Sequence, residues 1–194
     1  KTMLAPPELR AVHPLGKSPV ITDGDQTIAE SGAIIEYLVD NYGAGRLIPP
    51  PGSPQRLRYT YWLHYAEGSA MPPLLLKLVF ARLPKATPAL VRPLVRMIAG
   101  KVQSSYIDPQ LRQHLDFWER SLGESAWFAG DTFTAADVQM SFPIEAASSR
   151  VGFGPRSGVD RPRLRGFLER IQGRAAYQRA IDRGGAYTVA DPAE

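Results

Sequence analysis

The sequence predicts an α+β protein of two unequal domains, a short mixed α/β segment followed by an all-helical bundle. Three observations carry that reading. Strand-like runs flank a single Asp23-Gly24 turn early in the chain. A stretch with three prolines and a glycine, Leu47 to Ser53, then interrupts the pattern. Beyond it strand signals fade and apolar residues recur three and four apart, as on a buried helix face. The expected boundaries are 1–47 for the mixed segment, 48–53 for a stiff linker and 54–194 for the helical domain.

Thr2 to Leu9 is short and polar, and Pro6-Pro7 prevents a long helix there. Pro19-Val20-Ile21-Thr22 reads as a strand, with proline tolerated at its first position. Asp23-Gly24 is a hairpin signal because glycine accepts the positive φ of a tight turn, and Gln26 to Ala29 returns as the partner strand. From Ser31 the period changes: Ile34, Ile35, Leu38 and Tyr42 share a helical face, and Gly43 and Gly45 end it.

Ser53-Pro54 is a helix start, a capping hydroxyl followed by proline at the first position. That helix carries Leu57, Tyr61, Trp62 and Tyr65 and must bend or stop near Pro72-Pro73. Leu74 to Phe80 continues it. A second long stretch begins near Ala89, with kinks expected at Pro93 and at Asp108-Pro109, and Leu111, Leu115, Trp118 and Leu122 then form an apolar stripe. Thr134-Ala135-Ala136-Asp137 is a capping box in its Asp form, opening a helix through Phe142 and Pro143. After a glycine-rich loop, Gly152 to Gly158, a last helix is expected from Asp160 with Leu164, Phe167, Leu168 and Ile171 on one face.

Composition bounds the function. The chain has 194 residues, 44% hydrophobic and 22% charged, which suits a globular protein with a sizeable core. No apolar run approaches the ~20 residues of a membrane span, so no membrane partner is expected. Cysteine is absent, which removes disulfides, thiolate metal sites and a cysteine nucleophile. The net charge of +4 reads as scattered cations on solvated faces, among them Lys77, Arg82, Lys85, Arg92, Arg96 and Lys101, and no nucleic-acid partner is expected. The three histidines do not cluster, and no metal-ligand spacing occurs. His13 sits just before the Lys17 loop, where it either borders a ligand or is a satisfied loop histidine, the second reading being favoured, while His64 and His114 sit on helical segments.

Two short runs carry chemistry. Leu15-Gly16-Lys17-Ser18-Pro19-Val20 puts a lysine beside a proline-led strand, and Glu30-Ser31-Gly32-Ala33-Ile34 opens a helix whose first amides have no internal partner. These runs, with Phe128-Ala129-Gly130-Asp131 and the Thr134–Asp137 box, resemble the glutathione S-transferase family across nearly the whole chain. The resemblance implies a partial thioredoxin-like domain followed by the family's helical domain. It implies glutathione as co-substrate, held by Lys17, Ser18, Pro19, Glu30 and Ser31. In that arrangement Pro19 is cis and the backbone before it pairs with the cysteinyl unit; Ser31 and the helix start take the γ-glutamyl carboxylate. Glu30 accepts from the ammonium, and Lys17 meets the glycyl carboxylate. Ser18 replaces the family's common valine at a position that contacts ligand through its backbone.

Tyr61 and Tyr65 are candidates for the hydrophobic-substrate site, while Thr134 and Asp137 are structural. The family's thiolate-stabilising Ser, Tyr or Cys follows its first strand. Too few residues precede Leu15 here for a first βαβ unit of roughly 30 residues, so the chain is expected to lack that unit and no catalytic residue is assigned. The activity implied is attack of glutathione thiolate on a hydrophobic electrophile or a peroxide, by a cytoplasmic homodimer without a metal. The alternative is a non-catalytic protein using the same fold to bind ligands or proteins.

Overall fold

The computed structural model describes residues 5–154 and 158–185, so the segment before Ala5 and part of the predicted Gly152–Gly158 loop lie outside the described residues. The first element is α1 (Pro7–Val12), six residues long, which Pro7 opens rather than blocks. An antiparallel hairpin follows, β1 (Val20–Asp23) and β2 (Gln26–Ala29), with Val20 opposite Ala29 and Asp23 opposite Gln26. That register makes Gly24 and Asp25 the two turn residues, and Gly24 supplies the positive φ. Helix α2 (Ser31–Tyr42) packs on the hairpin. Tyr37 donates to the Asp23 carboxylate at 2.9 Å and Tyr42 donates to it as well, tying the turn to α2. These bonds, Tyr42's first, hold the Asp23 carboxyl below its usual range.

The linker is fixed at both ends. Ala135 N–H donates to the Leu47 carbonyl at 2.8 Å, and Arg56 donates to the Pro49 carbonyl at 3.1 Å. Ser53 accepts from Arg56 N–H at 3.3 Å, the cap expected of Ser53-Pro54. Helix α3 (Pro54–Tyr65) then runs through a π-helical turn, 66–70, straight into α4 (Met71–Arg82). A second such pair follows, α5 (Arg92–Val102), a π turn at 103–107, and α6 (Asp108–Glu124). In both, the wide turn sits just before a proline. A proline has no N–H for the i−4 carbonyl, and a π turn absorbs that loss without ending the helix. Pro93 makes no kink; it lies in the first turn of α5.

Helix α7 (Ala135–Arg150) is the axis of the core. Ala136, Asp137, Met140, Ile144, Ala146 and Ala147 on it are fully buried, and α2, α3, α4 and α8 all pack against it. Trp62 of α3 meets Phe128 with ring centres 4.5 Å apart, and Phe128 meets Phe167 of α8 at 5.2 Å. Val39 of α2 joins the same cluster, seating the mixed segment on the helices. Helix α8 (Pro162–Gln172) begins two residues later than the Asp160 start expected from sequence, and α9 (Ala175–Gly184) closes the described chain. Its first amides, those of Arg163 and Leu164, donate to the Glu119 carboxylate of α6, both at 3.0 Å.

Candidate functional site

Because Val20 pairs with Ala29, Pro19 and Glu30 leave the same end of the hairpin side by side, and α2 starts there. A cavity of about 90 Å³ opens at this point. Lys17, Ser18, Pro19, Glu30 and Ser31 line it together with His13, Leu15 and Ala29. The five residues singled out in two separate runs of sequence therefore surround one space. The Ser18–Pro19 peptide is cis, and Ser18 lies beyond the last ladder pair.

Glu30 adopts φ 73°, a left-handed conformation that costs a non-glycine residue ~1 kcal/mol or more. It marks the corner where β2 turns into α2. The first helical bond runs from Ile34 N–H to the Glu30 carbonyl at 2.9 Å, so the amides of Ser31, Gly32 and Ala33 have no partner within the helix. The cavity thus offers amide donors and a partial positive charge at the helix start, a carboxylate at the same corner and a lysine in the same lining. Those groups complement a small zwitterion bearing a second carboxylate, held along an extended backbone.

His13 is the residue the sequence reading undervalued. It ends α1 by donating its N–H to the Leu9 carbonyl, and its own carbonyl accepts from Gly16 N–H at 2.8 Å. Gly16 has φ 58°, and a Cβ there would fall 2.7 Å from both the Ala5 Cβ and the Arg10 Cγ. Only glycine lets this turn close onto α1, which sets His13 and Lys17 on the cavity. Among the described residues the His13 Nδ1 is enclosed and has no hydrogen-bond partner, unlike the satisfied loop histidine favoured from sequence. Nothing local in the sequence marks it; the turn geometry brings it in.

The other candidates lie elsewhere. Tyr61 is 48% exposed on α3 and stacks on Tyr65, ring centres 5.5 Å apart. Tyr65 itself is buried: its hydroxyl accepts from Trp118 Nε1 at 3.1 Å and shares a short hydrogen bond with His114 Nδ1. Burial pushes the Tyr65 phenol up to about 12 and pushes His114 down, so both rings stay neutral. Of the two tyrosines named as substrate-site candidates, Tyr61 is the exposed one, while the Tyr65 hydroxyl is engaged within the helical core. A larger cavity of about 690 Å³ lies between the linker and Ala129–Thr134, where the Arg174 guanidinium sits 3.5 Å from the centre of the Phe133 ring. None of the five predicted ligand residues reaches it.

Thr134 and Asp137 form the reciprocal capping box at the start of α7. The Asp137 carboxylate accepts from Thr134 N–H at 2.8 Å, from the Thr134 hydroxyl at 3.1 Å and from Phe128 N–H at 2.8 Å. The last bond ties the Phe128 loop to the helix, which a cap alone would not do. Full burial outweighs these donors and lifts the Asp137 carboxyl to about 6.

Comparison with known proteins gives the same family in both halves of the chain. The family model for the Glutathione S-transferase, N-terminal domain matches residues 2–51, and that for the C-terminal domain matches residues 83–175. Glutathione S-transferase 3 of Schizosaccharomyces pombe is 37% identical over 143 residues, covering 74% of this chain and 59% of that protein. The chain therefore spans less than two thirds of this relative's length. A glutathione S-transferase from Actinobacillus pleuropneumoniae superposes with a TM-score of 0.72 at 30% identity, covering 92% of this chain and 74% of the other. A sphingomonad glutathione S-transferase solved in complex with glutathione gives a TM-score of 0.58 at 25% identity, over 92% and 79% of the two chains. A hairpin-to-helix corner with a free helix start, on an all-helical partner domain and matched in sequence on both sides of the linker, makes this chain a member of the glutathione S-transferase family.

Proposed function

We propose that the chain binds glutathione in the cavity between Pro19 and Ser31 and serves a glutathione transferase reaction. The observation that carries this is the convergence of Lys17, Ser18, Pro19, Glu30 and Ser31 on one small space at the start of α2. In this reading the amides of Ser31 and Gly32 and the Ser31 hydroxyl take the γ-glutamyl carboxylate. The Glu30 carboxylate accepts from the ligand's ammonium, and Lys17 donates to the glycyl carboxylate. The backbone at Ser18 pairs with the cysteinyl unit as an added strand would. The His13 Nδ1, without a protein partner, lies on the Lys17 side and meets the glycyl end.

Held this way, the glutathione thiol gives its proton to solvent, and the thiolate forms a bond to an electrophilic carbon as the leaving group departs with its electron pair. Attack on a peroxide oxygen forms an S–O bond as the O–O bond breaks, giving a sulfenic acid and, once the leaving alkoxide takes a proton from solvent, an alcohol. Free thiol of pKa ~8.5 is only a few per cent ionised at neutral pH, so the reaction needs a donor to the sulfur as well as a binding site. The hydrophobic co-substrate meets the helical domain near Tyr61, whose ring is open to solvent. Assembly as a homodimer belongs to the same proposal.

The test is calorimetric titration of glutathione into the protein and into Ser31→Ala and Lys17→Ala. Saturable binding that weakens about tenfold in each variant, a loss of ~1.4 kcal/mol, is the expected result. Binding unchanged by both substitutions, with the fold intact by circular dichroism, would reject this site.

A further inference from the structure

The polar side chains lining the small cavity are those of His13, Lys17, Ser18, Glu30 and Ser31. In the proposed binding mode four of them are engaged at the ends of the ligand: Lys17 and His13 at the glycyl carboxylate, Glu30 at the ammonium and Ser31 at the γ-glutamyl carboxylate. Only the Ser18 side chain has no assigned partner, and the reaction still needs a donor to the sulfur. Its hydroxyl is available. Ser53, Ser105, Ser121 and Ser141 each donate theirs to a backbone carbonyl within four residues, as short polar side chains commonly do. Ser18 is exposed on the cavity, and its hydroxyl makes no hydrogen bond among the described residues.

The backbone sets where that hydroxyl stands. Val20 opposite Ala29 is the last pair of the ladder. Pro19 has no N–H, so the next backbone donor beyond the ladder is that of Ser18. Among the described residues neither the Ser18 N–H nor its carbonyl has a backbone partner, which leaves both for an extended ligand. A ligand that pairs there as an added strand sets its cysteinyl unit directly opposite Ser18. Residues directly opposite in an antiparallel pair project from the same face, with Cβ atoms about 4.5–5.5 Å apart. The Ser18 Oγ and the glutathione sulfur each stand one bond beyond those Cβ atoms. A choice of staggered χ1 then brings the two within hydrogen-bond reach.

Resting on that reading of the site, we propose that the Ser18 hydroxyl donates a hydrogen bond to the glutathione sulfur and stabilises it as the thiolate. Ser18 keeps its own proton, the thiol proton leaves to solvent, and no bond to Ser18 is made or broken. Hydrogen bonding to the charged form lowers the thiol's pKa from its free value of ~8.5, which raises the thiolate fraction at neutral pH. The ionisable groups of the same lining are His13, Lys17 and Glu30. The Glu30 charge works against a thiolate and is balanced by the ligand's ammonium, while Lys17 and His13 are engaged at the glycyl end. A valine side chain at this place fills the same space and donates nothing.

Ultraviolet difference titration of bound glutathione reads the thiolate, and Ser18→Thr against Ser18→Val compares one shape with and without a hydroxyl. The bound thiol should ionise at lower pH than free glutathione on the parent protein and on Ser18→Thr. In Ser18→Val and Ser18→Ala the thiolate fraction at neutral pH should fall about tenfold, with unchanged circular dichroism. S-methylglutathione has no thiol to ionise, and its affinity by calorimetry should stay within about twofold of the parent in all three variants. Equal ionisation of the thiol on the parent, Ser18→Val and Ser18→Ala, with S-methylglutathione bound normally, overturns the role of Ser18 and leaves the binding site standing. Weaker binding of S-methylglutathione by Ser18→Ala also overturns it, because a hydroxyl that acts on the thiolate is not felt by a thioether. Failure of S-methylglutathione to bind the parent, or equal binding by Ser31→Ala, removes the reading of the site and this inference with it.

Discussion

The mixed segment before the linker and the helical domain after it divide the work unequally. The helical domain holds nearly all of the core: Trp118, Leu115, Met140, Ile144 and Phe167 have no exposed surface. In the mixed segment the two strands have no fully buried residue, and α2 contributes only Ile34 and Val39 to the interior. Yet the cavity with helix-start amides, a lysine and a left-handed glutamate is in this thin part. The helices supply stability, and the hairpin corner, leaning on α7 through Val39 and Leu47, carries the proposed glutathione site. A site on a lightly packed element opens at lower free energy than the core behind it.

That division can be broken from the core side first. Trp118→Ala removes an indole that donates to Tyr65 and leaves a large cavity; about 3–5 kcal/mol of stability should be lost, measured by chemical denaturation. An equally large loss from Val20→Ala would refute the division. Asp137→Ala strips the partners from two buried amides, those of Phe128 and Thr134, and should cost about 2–4 kcal/mol.

Asp137 also makes the helical domain sensitive to pH. Its carboxyl titrates near 6 in the folded chain against an ordinary 3.8, so between those values the native state holds a proton that the unfolded chain has released. Its stabilising contribution is complete below pH ~4 and is lost as pH rises through ~6, at up to about 1.4 kcal/mol per pH unit. The slope of stability against pH in this window should therefore be shallower in Asp137→Asn than in the parent protein. The smallest effect belongs to the mixed segment: Tyr42→Phe should leave the unfolding midpoint nearly unchanged while amide exchange in 20–29 quickens, because it loosens the turn from α2.

What sequence alone could show follows the range of each interaction. The hairpin, the Ser53 cap and the Thr134–Asp137 box rest on residues within a few positions of one another, and they appear where expected. Pro72 and Pro109 marked the places where helices break, but not that a π turn would carry each helix through. Lys17, Ser18, Pro19, Glu30 and Ser31 were legible because two local motifs meet across one hairpin. His13 was legible only as a neighbour of the Lys17 loop, since its place on the cavity depends on a glycine turn closing onto α1.

Helix α8 shows how far such dependence reaches. It has no capping side chain of its own, and its first amides rest on a glutamate more than forty positions earlier. Pro162 marks where the helix starts, but the free amides that follow it find their acceptor on α6. The beginning of α8 is thus completed by a residue in the middle of the chain, which ties the last helices to the bundle at the point where they enter it.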